Sequence, residues 1–381
     1  MIRWREGVVR ATGPGWSGVL LLDVETPDGE TLRALAYPDV VGTPRTGDRV
    51  LLNTTALDRS LGTGGLALVV AVPDRPDAWP AREAEEPGHL VKARYTPLQT
   101  MVLGVDDPEG EHHGRLVDAD DLGGMPVVAA DLHSALPAVL AGARLADPTL
   151  RVVYVMTDGG ALPAAYSRTV AALRGAGWLE AVVTAGQAYG GDLESVTVHS
   201  ALLAAHHVVG ADLVVVAQGP GNLGTGTRWG FSGVSAGEAL NAAAVLGGRP
   251  VASLRVSQAD PRPRHRGLSH HSATAYGRVL AHPADVPLPH GPTGRAATDD
   301  CLGAVRRSVS DLVLTAPHLR PVDVPVAGVL DALSAPPVPL STMGRGLEED
   351  AASFVAAAVA GRAAAGMVRA PGPQLRPDQD S

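Results

Sequence analysis

From Met125 onward, short apolar runs recur at 125–130, 151–156, 180–184, 212–217 and 251–256, too far apart to be joined as hairpins. Helical patterning fills the gaps, near 134–143, 163–175, 193–209 and 235–246. Runs that are apolar throughout need cover on both faces, and connections of a dozen or more residues are what parallel pairing requires. The expected fold class is α/β, a largely parallel, Rossmann-like sheet with flanking helices. After Leu280 the pattern loosens. Helices are expected over 296–309 and 347–368, with one further strand over 312–315.

The first 72 residues have another texture. Runs at 18–24, 31–37, 49–54 and 66–72 are separated by Pro27-Asp28-Gly29, Thr46-Gly47-Asp48 and Gly62-Thr63-Gly64-Gly65, which predicts a small N-terminal β-barrel or sandwich domain. A chain of 381 residues exceeds what one core usually serves. Residues 73–95, with prolines and acids, read as a linker, and 96–381 as an α/β domain with a C-terminal helical extension. The alanine-rich stretch 351–368 carries Arg362 and follows Glu348, Glu349 and Asp350. Acids at a helix's positive end suit a capped helix of a globular protein, so no membrane partner is expected. Without a visible secretory pattern the expected compartment is the cytoplasm.

Scarcity removes several mechanisms. Cys301 is the single cysteine, which excludes intrachain disulfides and iron-sulfur clusters. Lysine and arginine together number 31, and Lys92 alone is lysine, so the G-K-[ST] of a Walker loop is absent and a pyridoxal phosphate (PLP) Schiff base has only Lys92 to use. A formal charge of −9 weighs against a general nucleic-acid binder.

Within that acidic chain, Asp260 to Ser272 reads D-P-R-P-R-H-R-G-L-S-H-H-S. It follows an apolar strand and precedes a helix predicted over 272–280, the position at which α/β sheets bind ligands. Arg262, Arg264 and Arg266 offer forked donors for phosphate or carboxylate, and His265, His270 and His271 can move protons or ligate metal. The other strand-to-helix loops carry Asp131 and His133, Thr157 and Asp158, Asp192 and Glu194, and the glycine-rich Gly219 to Gly226. Parallel strands bring these loops to one edge. The bland alternative is that loops are polar in any protein.

Gly219-Pro220-Gly221-Asn222-Leu223-Gly224 matches G-x-G-x-x-G, but no helix pattern follows at once, which weighs against NAD and favours a backbone anion cradle including Thr225. Gly233-Val234-Ser235-Ala236-Gly237 matches the nucleophile elbow without the buried strand that must precede it; Ser235 with Glu238 reads better as a capping box. Metal candidates are His133, Asp192, Glu194 and His271, without a fixed-spacing signature. His206 and His207 read as partners of their helix's negative end.

Four segments together, T-D-G-G-A-L-P (157–163), G-G-D-L-E-S (190–195), G-P-G-N-L-G-T-G-T-R-W-G-F (219–231) and the Arg/His loop, resemble an uncharacterised bacterial family, the domain of unknown function 3866. The resemblance implies a family but no activity. The residues themselves point to an enzyme, a hydrolase or group transferase, acting on a small anionic, phosphorylated or nucleotide-like metabolite at the carboxyl edge of the sheet. Arg262, Arg264, Arg266, Gly219, Gly221, Gly224 and Thr225 would hold it. His265 or His270 would act as acid or base, with Asp131, Asp158 or Asp192 orienting it or binding a divalent metal. The competing expectation is a non-enzymatic regulatory protein whose β domain contacts a macromolecule; a homo-oligomer is compatible with either.

Overall fold

The computed structural model describes residues 1–76, 87–157 and 160–369. The chain divides into two compact units, Met1–Val102 with Ala165–Ala171, and Leu103–Ala164 with Ala172–Ser381.

The first unit is a closed five-stranded barrel in the order β1-β2-β3-β5-β4, built from β1 (Trp4–Trp16), β2 (Val19–Glu25), β3 (Thr31–Ala36), β4 (Arg49–Asn53) and β5 (Ala67–Ala71). Closure removes exposed strand edges. Inside, Val9, Val24, Ala34, Val50 and Leu52 are fully buried. The four expected strands are present, but β1 is legible only in retrospect. Its W-R-E-G-V-V-R-A-T-G-P-G-W combines charges with three glycines, and its pairing with β2 shifts register between Val9 and Ala11 and again between Gly13 and Trp16. Irregular, glycine-bearing strands coil tightly, which barrel closure needs and which erases alternation. The expected linker is shorter than 73–95: β6 (Leu90–Lys92) pairs with β7 (Thr100–Val102), Lys92 is buried there, and residues 77–86 lie outside the described residues.

The second unit is an eight-stranded sheet ordered β11-β10-β9-β12-β8-β13-β16-β17, parallel throughout. Its strands are β8 (Pro126–Ala130), β9 (Val152–Thr157), β10 (Ala181–Ala185), β11 (Leu193–Ser195), β12 (Leu213–Gln218), β13 (Arg249–Ala252), β16 (Ala284–His290) and β17 (Leu319–Pro325). Strands β8, β9, β10 and β12 are buried along their whole length, as their unbroken apolar character requires. A short ribbon of β14 (Val256–Ser257) and β15 (Gly267–Leu268) stands outside the sheet.

Two strands escape the sequence pattern and two expectations fail, each for an identifiable reason. Strands β16 and β17 went unread because Pro287, Pro289, Pro321 and Pro325 mimic loop punctuation; they occupy the sheet's last two positions, where a missing N–H is best tolerated. Residues 312–315 are not a strand but the last turn of the helix Ala296–Thr315. The stretch 193–209 opens with β11 before the helix Val198–Ala204 and a π turn, Ala205–Val209.

Among the described residues, Ala351–Val368 is the helix long and apolar enough to cross a membrane, and 67% of that stretch is buried inside the protein. Val355, Ala358, Val359 and Ala364 are fully buried. Its apolar surface is thus used in packing.

Candidate functional site

Strands β8 and β13 are neighbours, so the residues that follow them leave the same edge of the sheet side by side. Asp131 comes directly after β8, and Ser253 to Arg255 directly after β13. The Asp131 and Arg255 side chains are only 4% and 7% exposed and pair across 3.3 Å. The third member is His271, whose Nδ1 lies 2.8 Å from Arg255 Nη1 and 3.1 Å from Asp131 Oδ2. A guanidinium can only donate, so Nδ1 either accepts from Arg255 or, when protonated, donates to Asp131.

The histidines are delivered by the helix His270–Thr274 and the π turn Ala275–Val279 that extends it. Ser269 caps this helix, accepting from His271 N, and its hydroxyl also meets His265 Nδ1 at 2.8 Å. Tyr276, fully buried in the π turn, bonds Ala129 O at 2.7 Å and lies 3.1 Å from Ser253 O, which fixes the segment to the ends of β8 and β13. Single π turns recur at functional sites because the extra residue re-aims a helix face. The outcome is a packed trio: ring centroids are 4.9 Å apart for His265 with His270 and with His271, and 4.5 Å for His270 with His271. Phe231 stacks on His271 at 3.7 Å, so the glycine-rich segment supplies the trio's apolar cover.

Burial, and then the charge of Arg255, pushes His265 down to about 3; burial, then His271 and Arg264, lowers His270 as well. Both imidazoles are neutral at neutral pH, suited to accept a proton or bind a metal and poorly suited to act as acids. Among the described residues, five buried side-chain polar atoms lack a hydrogen-bond partner, and Thr157 Oγ1, Gln218 Oε1, Ser253 Oγ and His270 Nε2 all belong to this edge. Unsatisfied buried groups are rare enough in native proteins that such a concentration marks a site.

Next to His270 opens a cavity of about 510 Å³ lined also by Gly226, Arg228, Arg264, Gly277, Arg278 and Thr315. Among the described residues, none of the three arginines has a hydrogen bond or ion pair, and no carboxylate lines the cavity. Sequence reasoning missed Arg228 and Arg278. The usable signal for Arg278 was its position eight residues after His270, about two turns along one helical segment.

Several expected site residues go elsewhere. Arg262 does not serve as a free anion donor: it grips Asp260 with both arms, Nε and Nη2 at 2.9 and 2.8 Å. Asp260 is buried and also meets Arg345, which in turn holds the buried Asp350 at 2.9 Å. The Arg262 hydrogen bond drives the Asp260 carboxyl well below the usual carboxylate range. A depressed pKa stabilises the fold at every pH above the unfolded value, near ~4, and that contribution is lost only as pH falls below it. Asp260→Asn should therefore lower stability by about 1.5–3 kcal/mol at pH 7, with a gap from wild type unchanged to pH 5 and shrinking below about pH 4 in urea denaturation. A gap that closes between pH 7 and 5 would contradict this assignment. Arg264 and Arg266 are both exposed, and Arg264 alone of them lines the cavity.

Asp192 and Glu194 do not join the trio. The chain after β10 doubles back to begin the parallel β11, so Asp192 sits at the level of Val182 N, which it accepts at 2.7 Å, together with Arg174. Glu194 accepts from Thr184 Oγ1 and Gly190 N at the sheet's far margin. His133 Nδ1 is tied to Tyr154 Oη at 3.1 Å, and burial lowers it to about 4. Asp158 lies outside the described residues. The segment 219–231 is a folded-back loop rather than an open N–H cradle. Thr225 N donates to Gly230 O, Leu223 N donates to Ser232 Oγ, Gly224 bridges Phe231, and Gly219 is buried, while Gly221 at φ +106° fills the turn in open space. The next helix starts only at Ser235, whose Oγ donates back to Ser232 O and makes no capping box. His206 and His207 lie in the last turn of their helical segment, as expected, and His207 Nε2 also meets Asp121 O at 2.9 Å.

The model of the family described as "Protein of unknown function (DUF3866)" matches residues 33–361. The chain belongs to this family. No curated protein and no solved structure matches it. The DUF3866 match leaves out β1 and β2 of the barrel but spans the whole eight-stranded sheet, so every residue of the trio and of the arginine-lined cavity lies inside it.

Proposed function

We propose that this DUF3866 protein is a hydrolase or group transferase acting on a small anionic metabolite, phosphorylated or nucleotide-like, at the carboxyl edge of the second unit's sheet. One observation carries the reading: Arg228, Arg264 and Arg278, without ion pairs among the described residues, surround a 510 Å³ cavity that also presents His270. Three like charges gathered without a carboxylate repel one another unless an anion joins them, and guanidinium forks match phosphate and carboxylate geometry. Neutral His270 beside the anion is placed to take a proton from an attacking hydroxyl or water. The cavity lies within the size range of small-molecule sites.

Sulfate and phosphate should each raise the melting temperature, since a ligand that binds only the folded state stabilises it. In Arg264→Ala the unliganded stability should stay within ~0.5 kcal/mol of wild type, while anion affinity falls by about 1.5–3 kcal/mol, roughly 10- to 150-fold. Absence of any anion effect on the wild type would refute the reading. Saturable anion binding without turnover of any phosphorylated or acylated compound would instead favour a ligand-responsive regulator.

A further inference from the structure

We infer that His265, His270 and His271 form a binding site for one divalent transition-metal ion of the nitrogen-preferring kind, Zn²⁺ or Co²⁺. One potential ligand atom from each of the three residues lies within 4.8 Å of those of the others. Ligands on one zinc at Zn–N of about 2.0–2.1 Å stand roughly 3.4 Å apart, so the trio closes on an ion by side-chain adjustments of about an ångström. A second observation points the same way: His270 Nε2 is buried and has no hydrogen-bond partner, which is costly for an imidazole nitrogen unless something is bound to it. His265 Nδ1 is held by Ser269 Oγ, which leaves its Nε2 for the ion.

The surroundings match what metal-bound histidines require. A ligating imidazole usually donates its other N–H to a carboxylate, and Asp131 Oδ2 is 3.1 Å from His271 Nδ1. Binding the ion at Nε2 selects the tautomer that donates to Asp131; the 2.8 Å approach of Arg255 Nη1 to Nδ1, donor against donor in that state, then has to open, while Arg255 keeps its 3.3 Å contact with the carboxylate. The donor set is wholly imidazole, which suits Zn²⁺, Co²⁺, Ni²⁺ or Cu²⁺ and disfavours Mg²⁺ and Ca²⁺. Three protein ligands leave a coordination position open, the pattern of catalytic rather than structural zinc, and with the ion bound a water at that position would replace His270 as the group that handles the proton. This site adjoins the arginine-lined cavity but does not rest on the anion reading.

The test uses full-length, tag-free protein, stripped with a chelator and titrated with Co²⁺ by visible absorption and with Zn²⁺ by calorimetry. Expected are one ion per chain, the intense bands of low-coordinate Co²⁺, and a loss of at least about 100-fold in Zn²⁺ affinity in His270→Ala, since even a lost outer partner costs 10- to 100-fold. Arg264→Ala should bind Zn²⁺ as wild type does, so a failed anion titration and a failed metal titration are distinguishable. If His270→Ala does not fold, His265→Asn and His270→Asn replace it. The inference is overturned by a wild type that takes up no Zn²⁺ or Co²⁺, by affinity unchanged in folded trio variants, or by binding lost only in the His206→Ala/His207→Ala double variant.

Discussion

Gly142→Val and Gly361→Val should each lower the stability of the second unit by more than about 3 kcal/mol in chemical denaturation. The two glycines face each other's helices at one crossing. A Cβ on Gly142 would stand 1.8 Å from Ala358 O, and a Cβ on Gly361 would stand 1.8 Å from Val139 O. Both obstacles are backbone carbonyls, which no rotamer change can move. The helices Leu136–Ala146 and Ala351–Arg369 would have to separate, and Leu140, Val355, Ala358 and Val359, all fully buried, would lose their packing. Helix propensity pulls the other way by less than ~1 kcal/mol, because glycine is itself a poor helix former. The same experiment bears on the apolar C-terminal helix. A helix that left the protein to enter a bilayer would tolerate valine at Gly361, so a loss below about 1 kcal/mol would show that it is not packed as described.

The parallel sheet was legible because burial on both faces leaves an unmistakable apolar run, as at Val152–Thr157 and Leu213–Gln218. Strands built under other constraints were not. Proline carries the wrong local signal in β16 and β17, and the coiled β1 exchanges alternation for glycine. Leu312 to Thr315 show the reverse error, since a short apolar run at a helix end cannot be told from a strand by periodicity. In the site, Asp131 and the three histidines could be grouped from strand order alone. Asp192 could not be excluded that way, because the return of the chain to start β11 depends on a pairing of only three residues, Val183 to Ala185 with Leu193 to Ser195. Arg255 was hidden as an ordinary strand-end residue. That its charge is buried against Asp131, while Arg262 in the conspicuous loop is committed to Asp260, is information that only tertiary contacts carry.

Arg255→Ala should be among the most damaging single changes near the site, costing about 3–5 kcal/mol, the usual consequence of leaving one member of a buried ion pair without its partner. Asp131, 3% exposed in the intact protein, would have only His271 beside its carboxylate, and the 2.8 Å contact of Arg255 with His271 Nδ1 would be gone. Asp131→Ala should do comparable harm for the converse reason, since a buried guanidinium cannot shed its proton to escape. The double variant Asp131→Leu/Arg255→Met should recover most of the loss, because apolar residues of similar volume often replace a buried ion pair at little cost. A coupling of 2 kcal/mol or more between that double variant and its own single variants, Asp131→Leu and Arg255→Met, on the order seen for residues in direct contact, would identify the pair as a strut that holds the ends of β8 and β13 beneath the histidines. If each single variant instead loses less than about 1 kcal/mol, the pair is not the strut, and the rigid placement of His271 must come from Phe231 and the Ser269 cap alone.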